Sequence, residues 1–439
     1  MKKTDTASRG IALEILQSVL RKKQPFDDVM ARHQAFAALE KRDRAFVHAL
    51  VALVLRRLGQ VDGVIKTCLN QKQELKASVH DILRLGVAQL LFLGTPAHAA
   101  VDTSVELAAA QNPTRPYKGL INAIMRRLTR EGAQMIEKQD AARLNIPDWL
   151  WLSWRQAYGT ARARNIAEAH LGEALMDISV KEDSAAWAKK LDAQLLPTGS
   201  LRLSPTMAVT ELEGFAEGAW WVQDAAAALP VLLMGDIKGK SVFDLCAAPG
   251  GKAAQLACAG AQVTAVDRSA KRLERMKENF ARLHLEAEII CLDALKFKPA
   301  EKADFVLLDA PCSATGTMRR HPDVQRIKTI EDVERMVLLQ EKLLDYTASK
   351  LVKEGGQILY AVCSLQTQEA EDQIERFLAR TPQFKRNPIK EEEREGLSEL
   401  ITEKGDLRCL PCHWEALGGL DGFYAARLVR EKAASALSA

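Results

Sequence analysis

The sequence predicts a multidomain chain: an all-α helical bundle, then a small α+β region, then an α/β domain on a Rossmann-like, doubly wound sheet. Three observations carry this. Over residues 8–130, apolar residues recur at helical spacing in one block after another. Between residues 241 and 309, four short apolar runs, each closing on an aspartate, alternate with helical patterns, as in an open parallel sheet. The first of these runs opens into Asp244–Lys252, D-L-C-A-A-P-G-G-K, where small residues precede Gly250 and Gly251 at a helix start. Such a turn lets bare backbone approach a ligand at a helix N-terminus.

At 439 residues the chain has room for two or three domains of about 150 residues each. A hydrophobic content of 47% and a charged content of 27% are those of a soluble globular protein. No apolar run approaches the length of a membrane span, and M-K-K-T-D-T-A-S-R-G lacks the apolar core of a secretory signal. The expectation is a cytoplasmic protein whose 8 cysteines stay reduced. Net charge is only +4, but residues 1–140 hold 22 Lys and Arg against 14 Asp and Glu. A basic first third beside a slightly acidic remainder suits either a nucleic-acid-binding appendage or an ordinary solvated helical surface.

In chain order, residues 8–23 form an amphipathic helix with Ile11, Ile15, Val19 and Leu20 inward. Helical spacing follows over 43–58, 63–69, 79–93, 97–110 (with Pro96 at its start) and 118–130. Residues 1–140 are read as this bundle and 141–235 as the small α+β region, with a helix over 161–171 and further pieces at 177–180, 187–191 and 201–203. Trp149, Trp151 and Trp154 fit a domain seam better than a base-stacking platform. Residues 236–431 form the α/β domain and 432–439 a flexible tail. Its runs end in Asp244, Asp267, Asp293 and Asp309, and helices over 251–259 and 270–283 separate the first three. The turn matches neither the dinucleotide fingerprint nor a P-loop. Asp267, about twenty residues past the turn, stands where a carboxylate accepts from ribose hydroxyls. A basic loop with Arg319, Arg320 and His321 follows Asp309, then a helix over 330–353 capped by Gly355-Gly356, a strand at 357–362, a helix at 366–379 and an edge strand at 422–429.

C-A-A-P-G-G-K (246–252), D-A-P-C-S-A-T-G-T-M-R-R-H-P-D (309–323) and Y-A-V-C-S-L (360–365), in that order and spacing, resemble the Sun/Fmu family of RNA cytosine-5 methyltransferases. The resemblance covers roughly residues 140–430. R-D-R-A-F-V-H-A-L-V (42–51), D-I-L-R-L-G-V-A-Q-L-L-F-L (81–93), P-A-H-A-A-V-D (96–102) and L-I-N-A-I-M-R-R (120–127) are similar to the NusB-like RNA-binding domain. The resemblance implies S-adenosyl-L-methionine as cofactor, held by Cys246, Ala247, Ala248, Pro249, Gly250, Gly251 and Lys252 with Asp267, Asp293 and Asp309. It implies Cys363 as nucleophile, Cys312 as the second cysteine that helps release product, and Asp309 and Lys252 as further catalytic groups. Cytosine carbon 5 is a poor nucleophile until something adds to carbon 6, and a thiolate both adds and leaves readily. Where the family usually has Thr before the second cysteine, this chain has Val362.

The implied function is methylation of carbon 5 at one cytosine of 16S ribosomal RNA through a cysteine adduct at carbon 6. The alternatives are a non-catalytic RNA-binding factor, an enzyme with a small-molecule acceptor, or a cytosine-5 methyltransferase acting on another RNA such as tRNA. The NusB-like module makes RNA the expected partner, with Arg42, Arg44, Arg56, Arg57, Arg126, Arg127, Arg319 and Arg320 as candidate phosphate contacts. No membrane and no metal are expected, and the protein is expected to be a monomer. Cys409-Leu410-Pro411-Cys412-His413 has the form of a haem-attachment or half-zinc string, but nothing else in the chain fits an exported electron carrier. Cys68, Cys258 and Cys291 read as packing residues.

Overall fold

The structure is a computed structural model that describes residues 3–69, 74–204, 209–393 and 395–432. Its internal contacts divide it into two compact units, Met1–Gly172 with Met318–Thr329, and Glu173–Thr317 with Ile330–Ala439. Residues 433–439, most of the expected tail, lie outside the described residues.

The first unit is helical, with Lys3–Lys22, Lys41–Arg56, Leu58–Cys68, Ala77–Leu91, Ala97–Ala110 and Lys118–Glu137 at the places where the apolar spacing puts them. Leu13, Leu16, Leu50, Leu55, Ile82 and Ile121 from these helices are fully buried in one cluster. Each such side chain contributes roughly 1.5–3 kcal/mol relative to exposure. The unit also takes in Asp148–Ala169, broken at Gly159 (φ +78°), where the sequence places the start of the α+β region. Trp154 is buried there and stacks on His170 with ring centroids 5.5 Å apart. Met318–Thr329 joins the same unit: the Phe26 amide donates to Asp323 Oδ2 (3.0 Å), and Arg326 donates to the Leu55 carbonyl (3.0 Å) and the Asn145 carbonyl (2.8 Å).

The second unit holds two sheets. The smaller is antiparallel, β1 (Met176–Val180), β2 (Gln194–Leu195), β3 (Leu201–Leu203) and β4 (Trp220–Val222), in the order β2-β3-β1-β4. Ile178, Leu201, Leu203 and Trp220 form its core, and Arg202 grips Asp177 with two hydrogen bonds of 2.7 and 2.8 Å. The larger comprises β5 (Ser241–Leu245), β6 (Gln262–Asp267), β7 (Glu288–Cys291), β8 (Ala303–Asp309), β9 (Val352–Val362), β10 (Phe384–Arg386), β11 (Leu407–Cys409) and β12 (Phe423–Arg430). Its order is β10-β12-β9-β8-β5-β6-β7, with β11 paired to β12. β5 to β9 are parallel, and β12 runs antiparallel beside β9, which is the expected edge-type strand with β10 and β11 added beyond it. Leu229, Leu256, Met276 and Phe280 cover one face of the sheet, and Leu344, Ile374, Phe377 and Tyr360 pack in the cluster on the other.

One element differs from its expectation. The long helix ends at Tyr346, with a single π turn over Thr347–Leu351, and Gly355 and Gly356 lie inside β9 instead of capping the helix. A Cβ on Gly356 would come within 2.8 Å of the Asp304 carbonyl oxygen, so the glycine serves close strand approach.

Candidate active site

The parallel strands β5, β6 and β8 deliver their C-terminal carboxylates to one edge, because each apolar run ends where its strand leaves the sheet. Asp267, 4% exposed, caps the turn: Oδ2 accepts from the Ala248 amide (3.2 Å) and Oδ1 from the Ser269 amide (2.8 Å). Asp293, just past β7, accepts from the Leu295 amide at 2.9 Å. Asp309 at the end of β8 accepts from Lys252 Nζ at 2.8 Å. The turn itself needs left-handed backbone at Cys246 (φ +62°) and Gly250 (φ +101°). At Gly250 a Cβ would lie 2.6 Å from Met276 Cγ, which fixes glycine there.

β9 and β8 bring the two motif cysteines together. Cys312 Sγ and Cys363 Sγ are 3.4 Å apart, and the Gly316 amide donates to the Cys363 carbonyl at 3.0 Å. A cavity of about 350 Å³ is lined by Cys246, Asp267, Asp293, Asp309, Cys312 and Cys363, with Arg268, Arg272, Leu339 and Leu343 among its other walls. A second cavity of about 290 Å³ is lined by Ala247 to Lys252 together with Trp221, Gln223, Asp224 and Arg282. Asp309 is the residue common to the two linings. The turn residues expected to act together thus divide, Cys246 facing the first cavity and the remainder the second.

Two thiols of the first cavity, Cys246 and Cys312, are raised by their surroundings. Burial, reinforced by the negative Asp309, pushes the Cys246 thiol up to about 12. Cys312 is raised as well, first by its hydrogen bond with Cys363 and then by burial. Both stay protonated at neutral pH. Lys252 is raised in spite of burial, because Asp309 favours its charged form. Asp244, fully buried at the end of β5, has no hydrogen-bond partner for either carboxylate oxygen among the described residues, and burial followed by the charge of Asp309 pushes it well above the carboxylate range. Val362 is fully buried in β9 opposite Tyr424.

A family model for the 16S rRNA methyltransferase RsmB/F matches residues 231–429, and one for the NusB family matches residues 6–130. The ribosomal RNA small subunit methyltransferase B of Shewanella oneidensis is 33% identical over 439 residues, covering 96% of this chain and 99% of that protein. The chain belongs to the RsmB/F family of 16S rRNA methyltransferases. The RsmB/F relative of Vibrio cholerae is 36% identical over 365 residues, covering 78% of this chain and 83% of its own length. The crystal structure of PH0851, 23% identical, superposes with a TM-score of 0.74 over 98% of this chain and 100% of that one, which shows the same fold. RsmB/F proteins are S-adenosyl-L-methionine-dependent methyltransferases, and the first cavity fits that cofactor. Its volume lies in the range of small-molecule sites, and Asp267 and Asp293 present carboxylates with lone pairs left over after their backbone contacts.

In the NusB-family unit the candidate arginines fall into groups. Arg42 and Arg126 are exposed. Arg44 donates to the Leu39 carbonyl (2.8 Å), Arg57 to Gln60 Oε1 (2.9 Å) and the Leu171 carbonyl (3.0 Å), and Arg127 pairs with Glu131 (2.8 Å). Arg320 is half-buried. Arg56 and Arg319 correct the expectation: they are 6% and 7% exposed, and Arg56 donates to the Arg319 carbonyl at 2.7 Å, a structural contact where a solvent-facing phosphate contact was expected. Two further cysteines depart from theirs, since Cys258 at a helix end and Cys291 on edge strand β7 are exposed. Cys409 is buried in β11, and His413 Nδ1 accepts from the Leu410 amide at 3.2 Å, so that string builds a turn. Among the described residues no helix is long and apolar enough to cross a membrane.

Proposed function

We propose that this RsmB/F protein forms 5-methylcytosine in 16S ribosomal RNA through a covalent adduct between Cys363 and carbon 6 of the base. The observation that carries this reading is the 3.4 Å approach of the Cys312 and Cys363 sulfurs at the wall of a cavity that also contains Asp309. Cys363 takes the nucleophile's role on its match to the family motif, since a thiolate both adds to carbon 6 and leaves it readily. S-adenosyl-L-methionine would supply an electrophilic methyl group on a sulfonium, whose sulfur keeps the electron pair of the broken sulfur–methyl bond and leaves as a neutral thioether. Cys363 Sγ bonds to carbon 6, and the electron pair displaced onto carbon 5 makes that carbon the nucleophile for the methyl carbon. Asp309, held by Lys252, accepts from the amino group and, once the adduct is protonated by water, from the ring N–H, and so stabilises the protonated adduct. After carbon 5 gives its proton to solvent water, the electron pair of that C–H bond re-forms the ring double bond, the carbon 6–sulfur bond breaks, and Cys363 departs as thiolate with Cys312 assisting from the adjacent loop. Asp267 and Asp293 would accept from the cofactor's ribose and base, and Arg42 and Arg126 would meet RNA phosphates.

The test uses the full-length protein, tritiated S-adenosyl-L-methionine and deproteinised 16S rRNA, with tRNA as a second substrate. Wild type is expected to label 16S rRNA, Cys363→Ala to be inactive, and Cys312→Ala to accumulate a protein–RNA adduct that survives denaturing gels. Full activity of Cys363→Ala would overturn the nucleophile, and preferential labelling of tRNA would overturn the substrate.

A further inference from the structure

Glu369 stands six residues past Cys363 in the turn Thr367–Glu369, and it is 0% exposed. Four donors converge on its carboxylate. Oε1 accepts from the Ser313 amide (2.8 Å) and Gln340 Nε2 (3.1 Å), and Oε2 accepts from the Ser313 and Ser364 hydroxyls. Ser313 directly follows Cys312, and Ser364 directly follows Cys363. One carboxylate therefore grips the residue next to each reactive sulfur. The Glu369 carbonyl also accepts from the Tyr360 hydroxyl (2.6 Å), which fixes the turn to β9 three residues before Cys363. A second layer reinforces the junction: Thr315 Oγ1 accepts from the Leu365 amide at 3.0 Å and lies 3.3 Å from Ser364 Oγ.

We infer that Glu369 is the positioning residue of the two thiols, setting the approach of Cys312 to Cys363 on which release of the methylated base depends. The inference rests on the two-cysteine reading given above. Glu369 touches no reacting atom; it acts through Ser313 and Ser364. Folding of the Cys363 loop has a separate anchor, because Arg408 pairs with Glu371 and donates to the Ser364 carbonyl at 2.7 Å. A buried carboxylate costs desolvation that an apolar residue would not, so its presence at this junction is better matched to fixing geometry than to stability. Methyl transfer needs only Cys363 against the base, whereas elimination needs both sulfurs in register. Loosening the bridge should therefore slow release more than methyl transfer.

The experiment compares full-length wild type, Glu369→Ala, Glu369→Gln and Ser313→Ala. Dibromobimane, which joins two neighbouring thiols, is followed by peptide mass to read the rate at which Cys312 and Cys363 are linked. In parallel, a single turnover on 16S rRNA is resolved into methyl transfer and adduct decay. Displacing one reacting group by an ångström costs up to about a hundredfold, so Glu369→Ala is expected to slow both thiol linking and adduct decay by about tenfold or more. First-turnover methyl transfer and cofactor affinity should change much less. Glu369→Gln keeps an acceptor and a donor at the junction and should restore most of the linking rate. If Glu369→Ala links its thiols at the wild-type rate, the positioning role is overturned. Should Glu369→Ala fail to fold, Ser313→Ala, which removes one hydroxyl of the bridge, decides: slowed linking and decay support the role, and unaltered linking and decay overturn it. Full activity of Cys363→Ala would instead sink the two-cysteine reading, while the linking rates would still judge the bridge.

Discussion

Lys252 Nζ lies 2.8 Å from Asp309 Oδ2 and 4.9 Å from the centre of the Phe423 ring, so the ammonium is held between a carboxylate and an aromatic face. The side chains are 10% and 31% exposed. Removing the cation leaves a half-buried carboxylate unpaired at the junction of the two cavities. Lys252→Ala is expected to cost about 1–2 kcal/mol of stability, between the surface and fully buried limits for ion pairs. It should also lower methyl transfer by roughly a hundredfold, as loss of one electrostatic positioning group does. Asp309→Ala should do the same, and the double variant little more, since the two act as one unit. Additive losses in a double-mutant cycle would refute the coupling.

Asp244 makes stability depend on pH in a particular direction. Its carboxyl is raised in the folded chain, by burial first and Asp309 second. Below about pH 4 folded and unfolded chains both hold the proton, so the group is neutral in effect. As pH rises, the unfolded chain releases the proton while the folded chain keeps it, and stability falls until the folded value is reached. Asp244→Asn removes that loss. Its melting temperature should match wild type near pH 4 and exceed it increasingly at pH 6 and 8; a gap independent of pH would show that Asp244 is ionised.

Gly250 and Gly251 are adjacent but not equivalent. Gly250 has φ +101°, and a Cβ added there would stand 2.6 Å from Met276 Cγ, whereas the nearest atom to a Cβ added at Gly251 is 3.7 Å away. Gly250→Ala should cost about 1–3 kcal/mol of strain and weaken S-adenosyl-L-methionine binding measured by calorimetry. Gly251→Ala should leave the melting temperature nearly unchanged. Equal losses in the two variants would mean that the turn's backbone is not what sets the constraint.

Val362 occupies a position where the family usually carries Thr, and here it is fully buried among Leu308, Tyr424 and their neighbours. Val362→Thr places a hydroxyl in that cluster at a cost of about 1–2 kcal/mol. Methylation rate at saturating cofactor should be unaltered. A rise in turnover would show that the missing hydroxyl belongs to the chemistry.

Arg42 and Arg126 are the exposed candidates on the helical unit. Substituting each with Ala should weaken RNA binding without regard to sequence and reduce the slope of log affinity against log salt by about 1 per residue. Unchanged slopes would remove these residues from the RNA contact.

The parallel strands were legible because a strand buried on both faces reads as an unbroken apolar run, and Asp244, Asp267 and Asp309 mark where three of them stop. Cys312 and Cys363 were legible from their motifs, but their 3.4 Å approach depends on β8 pairing with β9, a contact between residues 51 apart. Gly355-Gly356 misled because paired glycines punctuate helices and tight strand approaches alike. Arg56 and Arg319 looked like surface charge because their partners are set by tertiary packing: the carbonyl that Arg56 binds is 263 residues away. Glu369 left only the signal of one more acid near the start of the helix expected over 366–379, and nothing in its spacing tells that four donors meet on it.

The insertion of Met318–Thr329 into the helical unit has a consequence for the order of assembly. The Phe26 amide, the Leu55 carbonyl and the Asn145 carbonyl all find partners in Asp323 and Arg326, which lie beyond most of the second unit's parallel strands in the chain. A nascent chain that has emerged only as far as Gly172 therefore presents a bundle with open seams, and the bundle closes only once the synthesis of β5 to β8 is already past. The NusB-family unit is completed by residues made after the first half of the larger sheet, so the two mature together.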